Sequence, residues 1–235
     1  IQRKRINSKK VFWIKNLKKI NKDPVVFFGN EFLDALPIKQ FKKINRNIFE
    51  KYVGIKKNKP NFIFKKAIKK QINKLKNFHL LKNDGIIEYP EYGFKELQVV
   101  CEKINKLNGG ALFIDYGYKI GKNIDTLQSI KNHKFNEINK NIGNADITSL
   151  VNFGLYKEYF ESKNLLTESI INQSEFLQKM GILERAKMVG RKMNYIDKKN
   201  LNSRLRRLIH PEMMGKNFKV IFTKNKKCNF SLAFK

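Results

Sequence analysis

Little in this sequence suits metal or disulfide chemistry. Its two Cys, at 101 and 228, and its three His, at 79, 133 and 210, stand far apart in the chain. That spacing builds no disulfide framework and no zinc site, so no metal is expected and a reducing compartment is. Acids are also scarce, 20 against 50 Lys and Arg, for a formal net charge of +30. No run of about 18 apolar residues occurs, which excludes a membrane-spanning helix. Internal repeats and linkers rich in Gly or Ser are missing too. What the chain does have is 235 residues, 41% hydrophobic content and 19 Phe, enough for a sizeable core and too much for a disordered polycation.

The charge suggests a polyanion partner until its distribution is read. Only 8 of the 50 bases are Arg, the residue whose planar fork suits phosphates and base edges. A Lys, Asn and Ile excess of this kind is also what an A/T-rich genome produces. Residues 1–83 sum to +20, residues 84–184 to −3, and residues 185–235 to +13. Two basic flanks therefore enclose a weakly acidic centre, which a codon effect alone would not spare.

Hydrophobic patterning predicts an α/β chain. Val11–Ile14 reads as a short strand, and Pro24–Gly29 as a strand buried on both faces. Residues 47–54 and 61–64 read as a strand pair, and 65–82 as a Lys-rich helix. Glu91–Asn108 has helical spacing and stops at Gly109-Gly110, followed by a second buried strand over Ala111–Tyr118. Residues 146–191 read as broken helix, and 218–223 with 228–234 as a C-terminal antiparallel hairpin. The alternation of helix and strand argues for an open α/β sheet, whose ligands sit beyond the strands' carboxyl ends. Both strong strands deliver acids there, Glu31 and Asp34 from one and Asp115 from the other. Such a cluster suits a cationic ligand or acid/base chemistry. The plainer alternative is that Asp34 caps a turn and Asp115 pairs with a Lys.

The segment Asn30-Glu31-Phe32-Leu33-Asp34-Ala35-Leu36-Pro37 resembles the signature of the MidA-like family of S-adenosylmethionine-dependent methyltransferases. Further matches follow in the family's order: Gly109–Tyr118, Thr126-Leu127-Gln128 leading to His133-Lys134, Ala145–Thr148 with Val151–Phe153, Gln173–Leu177 with Met180–Ile182, and Arg207–Ile209 through Met214-Gly215 to Phe218–Val220. The similarity runs from about residue 11 to the end.

This resemblance implies a class I methyltransferase, Rossmann-like sheet lacking its first strands, with a helical insertion at 146–191 and the C-terminal hairpin. Residues 1–145 with 192–235 would form the partial Rossmann-like domain, and Val11–Ile14, Val25–Gly29 and Ala111–Tyr116 its third, fourth and fifth strands. It implies methyl transfer from S-adenosylmethionine to a protein side chain, with arginine favoured and a respiratory complex I subunit as the protein partner. Glu31, Asp34 and His133 are the expected catalytic residues, and Asn30, Asp115 and Tyr116 the expected cofactor contacts. The location expected is the mitochondrial matrix in a eukaryote and the cytoplasm in a bacterium. The family's glycine-rich cofactor loop has no counterpart in these 235 residues, and the first residue is Ile. The expectation is therefore an incomplete copy that binds cofactor weakly. The competing reading is a basic RNA- or ribosome-associated protein without catalysis, which the absence of an aromatic RNA-reading pattern disfavours.

Overall fold

A computed structural model describes residues 5, 6, 8–132 and 134–234. The expectation for His133 thus lies outside the described residues. Strand β1 (Val26–Asn30) leads into a turn, then into β2 (Lys39–Ile44), β3 (Asn47–Lys56) and β4 (Lys59–Lys66). Helix α1 (Lys69–Asn77), β5 (Gly85–Tyr89), helix α2 (Glu91–Leu107) and β6 (Gly110–Tyr118) follow. Three short strands come next, β7 (Gln128–Lys131), β8 (Lys134–Asn136) and β9 (Asp146–Thr148), then β10 (Val151–Asn152). The last part holds α3 (Phe153–Ser162), β11 (Leu166–Thr167), β12 (Ile171–Asn172), α4 (Gln173–Lys179), α5 (Ile182–Gly190), α6 (Tyr195–Ile209) and β13 (Phe218–Lys224).

The main sheet runs β1-β6-β13-β11, with β10 also on β6 and β12 also on β13. Strand β1 lies parallel to β6, as the resemblance implied for neighbouring strands, and β13 is antiparallel to β6. Alternation along β6 divides the core in two. Ala111 and Phe113 face a large cluster made with α2 (Phe94, Leu97, Ile104) and α3 (Phe153, Phe160). Leu112 and Ile114 face a smaller one with Val220, Phe222 and Phe176. In the large cluster Phe94 stacks on Tyr159 at 4.0 Å between centroids, and Phe113 lies parallel to Phe160 at 5.9 Å. The apolar residues of α3 are thus core, and the 146–191 stretch also supplies β11 and β12 to the sheet.

A second, antiparallel sheet, β4-β3-β2-β5, packs beside the first. The sequence reading found β3 and β4 but not β2 or β5. The reason is that this sheet's buried positions include Gln40, Glu50 and Glu88, which break the apolar alternation. Their polarity is satisfied by partners distant in sequence. Glu50 and Glu91 share Lys39 at 2.9 and 3.2 Å, Lys74 also bonds Glu91, and Tyr52 and Gln71 donate to Glu50. Burial opposes the Glu50 charge, yet hydrogen bonds from Tyr52, Lys39 and Gln71 outweigh it and hold the carboxyl below its usual range. This cluster ties β2 and β3 to the first turn of α2 and to α1.

Three expectations are corrected. Val11–Ile14 forms no strand and Phe12 is largely exposed; among the described residues β1 pairs with β6 alone. Strand β1 is not buried on both faces, since Val26 and Phe28 are 64% and 66% exposed. The C-terminal hairpin is absent as well. Both edges of β13 are already taken, by β6 on one side and by β11 and β12 on the other. Residues 228–234 instead turn back over the sheet, where Phe230 and Phe234 pack on Phe222 and the buried Lys224 ammonium donates to the Phe230 carbonyl at 2.7 Å.

The Phe113–Phe160 contact joins β6 to α3 with both rings inside the large core. Truncation of Phe160 to Ala should cost about 3–5 kcal/mol in urea unfolding. A loss under about 1 kcal/mol would show that α3 is peripheral to the fold.

Candidate active site

The carboxyl ends of β1 and β6 adjoin, and the expected acids gather there. The β1–β6 ladder extends one step past the strand through the Glu31 amide, which donates to the Ile114 carbonyl at 2.9 Å. Glu31 then adopts φ of +49°, a left-handed conformation uncommon outside Gly, and turns the chain off the sheet. The next amides point back at β6. Those of Leu33 and Asp34 donate to Asp115 Oδ2 at 2.8 and 3.2 Å, and that of Tyr116 to Asp115 Oδ1 at 2.9 Å. A second turn closes with Leu36 N–H on the Leu33 carbonyl at 3.3 Å. Leu36 packs where Gly93 on α2 leaves room, since a Cβ there would lie 2.9 Å from its side chain.

Asp115 is fully buried and does not pair with a Lys: its oxygens accept from backbone amides. Burial, reinforced by the nearby Asp34 carboxylate, pushes its pKa up to about 7 despite the three amides. Asp34 itself is half-buried and accepts the Thr148 hydroxyl at 2.9 Å. Tyr116 bonds the same Thr148 oxygen. With the single Thr148 proton directed to Asp34, Tyr116 is the donor, and a hydroxyl chain Tyr116–Thr148–Asp34 results. Burial pushes the Tyr116 phenol above its ordinary range, which keeps it a donor.

Asp34 and Thr148 open onto a cleft of about 580 Å³ whose apolar walls include Pro37, Phe62, Leu127 and Ile147. That size suits a small ligand or a long side chain. Asn30 and Glu31 are exposed, with the Asn30 amide 3.4 Å from the Glu31 carboxylate. The structure therefore brings Asp34, Asp115 and Tyr116 together and sets Asn30 and Glu31 beside them, outside that cleft's lining.

Sequence reasoning did not single out Thr148 as a site residue, although it ends the Ala145–Thr148 match. It also missed a partly buried polar network that adjoins the cleft wall. The Gln40 amide donates to Glu88 and Asp125 at 2.8 and 2.7 Å, Lys51 pairs with Asp125 at 3.0 Å, and the Thr126 amide donates to Glu88 at 3.0 Å. Burial opposes the Asp125 charge, but hydrogen bonds from Gln40 and Lys51 prevail and lower its pKa. The network fixes the 125–127 segment, hence Leu127 in the cleft wall. Only the Thr126-Leu127-Gln128 match hinted at this region.

The raised pKa of Asp115 gives a testable sign. Between about pH 4 and about 7 the folded carboxyl keeps a proton that the unfolded one has lost, so this group's contribution to stability falls as pH rises. The unfolding free-energy difference between wild type and Asp115→Asn should therefore decline through that window and level off above it. A difference independent of pH would contradict the buried, amide-bound geometry.

The chain is similar in sequence and fold to known proteins. A family model described as "Putative S-adenosyl-L-methionine-dependent methyltransferase" matches residues 1–170. A mitochondrial protein arginine methyltransferase NDUFAF7 homolog of Caenorhabditis elegans is 32% identical over 189 residues, covering 74% of this chain and 42% of that protein. The mitochondrial protein arginine methyltransferase NDUFAF7 of Danio rerio is 26% identical, covering 88% and 49%. The chain thus spans about half the length of the curated relatives it matches. A crystal structure from Burkholderia thailandensis with S-adenosyl-homocysteine bound superposes with a TM-score of 0.76 at 24% identity, over 96% of this chain and 59% of that one. A second structure from the same organism gives 0.74 at 22% identity, over 91% and 58%. These solved structures share the Rossmann-like fold, and the family match extends over most of the sequence: the chain belongs to the family of S-adenosyl-L-methionine-dependent methyltransferases.

Proposed function

We propose that the protein transfers the methyl group of S-adenosylmethionine to an arginine side chain of a protein substrate. The observation that carries this reading is the Asp34 carboxylate, oriented by Thr148 at the mouth of an apolar-walled cleft. An arginine has the matching shape, an apolar stem for the walls and a planar cation for the acid. In this reading Asp34 holds the guanidinium by charge-assisted hydrogen bonds and stabilises the positive charge while its nitrogen is alkylated. Glu31 supplies the second carboxylate from the rim of the turn. Asp115 and Tyr116 act from behind, one by holding the turn's amides and the other by orienting Thr148.

For the cofactor, the chemistry of the donors at the end of β1 fits in part. The exposed Asn30 amide and Glu31 carboxylate match the hydroxyl and ammonium groups of S-adenosylmethionine, which when bound supplies an electrophilic methyl group. No glycine-rich phosphate- or nucleoside-cradling loop is present in the 235 residues to complete that site. Support for arginine as the methylated residue comes from the names of the curated relatives. The family resemblance favours a respiratory complex I subunit as substrate, in the mitochondrial matrix of a eukaryote or the cytoplasm of a bacterium. No helix among the described residues is long and apolar enough to cross a membrane.

The test is transfer of a labelled methyl group to an arginine-containing protein, by a family-length protein carrying this segment. Asp34→Asn and Glu31→Gln should each lower kcat by about 10²–10³ while the melting temperature stays within a few degrees. Transfer at the wild-type rate by both variants would overturn the assignment.

A further inference from the structure

Helices α5 and α6 form a hairpin that contributes no buried residue to the core. It is held to the rest of the molecule through α6, where the Gln173 amide of α4 donates to the Leu208 carbonyl at 2.9 Å. Between Ile182 and Ile209 there are nine Lys or Arg and two acids, Glu184 and Asp197. Asp197 is engaged locally at the start of α6, where it bonds Asn194 through its amide and its carboxylate. Five of the chain's eight Arg fall here, at 185, 191, 204, 206 and 207. A Lys-rich codon bias does not account for that concentration of Arg.

Between the two helices runs a groove of about 660 Å³. Its floor includes Leu183, Leu201 and Leu205, and its rim carries Lys187, Arg191 and Lys198. The three rim cations are exposed, and the floor leucines are half-buried. An apolar floor between cationic edges is complementary to an amphipathic helix with acidic flanks, in the helix-in-groove mode. A second copy of this chain is a poor occupant, because each carries +30. Single-stranded nucleic acid would match the charge but prefers exposed aromatic platforms, and the groove lining has none. A segment rich in Lys and Arg, such as one surrounding the target of the proposed acid site, would be repelled.

We propose that the α5–α6 groove docks an acidic amphipathic helical segment of a partner protein, separately from the cleft at Asp34. The site would thus read two features of a partner at once, an acidic helix on the hairpin and a cation at the cleft.

The experiment uses the 235-residue chain and a fluorescent peptide of about 18 residues with Leu on one helical face and Glu on the other. Its controls are the same peptide with Lys in place of Glu, and an oligouridylate of equal length. The Glu peptide should bind at least about tenfold more tightly than either control. The triple substitution Lys187→Glu, Arg191→Glu and Lys198→Glu should weaken it at least about tenfold. The same charge change on the exposed β3–β4 hairpin, Lys56→Glu, Lys57→Glu and Lys59→Glu, should shift the affinity less than about twofold. Circular dichroism melting checks that both variants fold. Equal losses from the two triple variants would reduce the effect to the general basic coat and overturn the proposal. Tighter binding of oligouridylate, or no binding of the Glu peptide, would overturn it as well.

Discussion

The site depends on one buried carboxylate. Asp115 lies at the carboxyl end of β6 and accepts the backbone amides of Leu33 and Asp34, so the turn that leaves β1 is fastened to the neighbouring strand. The contact is long-range, spanning 81 and 82 residues of sequence. Its effect is to give a short loop the fixed geometry of the sheet it abuts. The turn starts at Glu31 with a left-handed backbone, which is sustained because the Ile114 carbonyl and then Asp115 capture successive amides. Removing the buried acceptor would take this partner from the Leu33, Asp34 and Tyr116 amides, a cost of about 1–3 kcal/mol for each left unpaired.

Beyond that fixed turn, one support reaches Asp34 and a second holds the cleft wall. One is the Tyr116–Thr148 hydroxyl chain, which brings β6 and β9 to the same carboxylate. The other is the Gln40, Glu88, Asp125 and Lys51 network, which holds the cleft wall against the second sheet. A half-satisfied network would be worse than an apolar core, but among the described residues no buried side-chain polar atom lacks a partner. Of the acids at this site, Asp115 alone is fully buried; Asp34 is half-buried and Glu31 exposed.

What the sequence showed, and what it hid, follows from where polar residues are buried. Strands β1, β6 and β13 and helix α2 were legible because Phe27, Phe113, Val220 and Leu97 repeat with the strand or helix period. The sheet β2–β5 was half hidden, since Gln40, Glu50 and Glu88 occupy interior positions and their partners, Asp125, Lys39 and Thr126, are set by tertiary contacts. The hairpin expected at the C-terminus had the right alternation on both arms, but its first arm had no free edge to offer. Periodicity reports which face is apolar; it does not report how many neighbours a strand already has. For the site, Glu31, Asp34 and Asp115 were legible as acids toward the carboxyl ends of two strands, and Asn30 only through the family signature. Thr148, and the inward turn of Asp115 toward backbone amides, depended on the crossing of segments that the sequence does not order.

Amide hydrogen exchange at Leu33 and Asp34 tests the central claim most directly, because it reads the two bonds themselves. In the wild-type chain both amides should exchange slowly, at rates close to those of the Phe113 and Ile114 amides in β6. In Asp115→Ala, Leu33 and Asp34 should exchange at least about tenfold faster while the β6 amides keep their protection. Unchanged protection at both positions in that variant would contradict the account, because the turn would then be held by something other than Asp115.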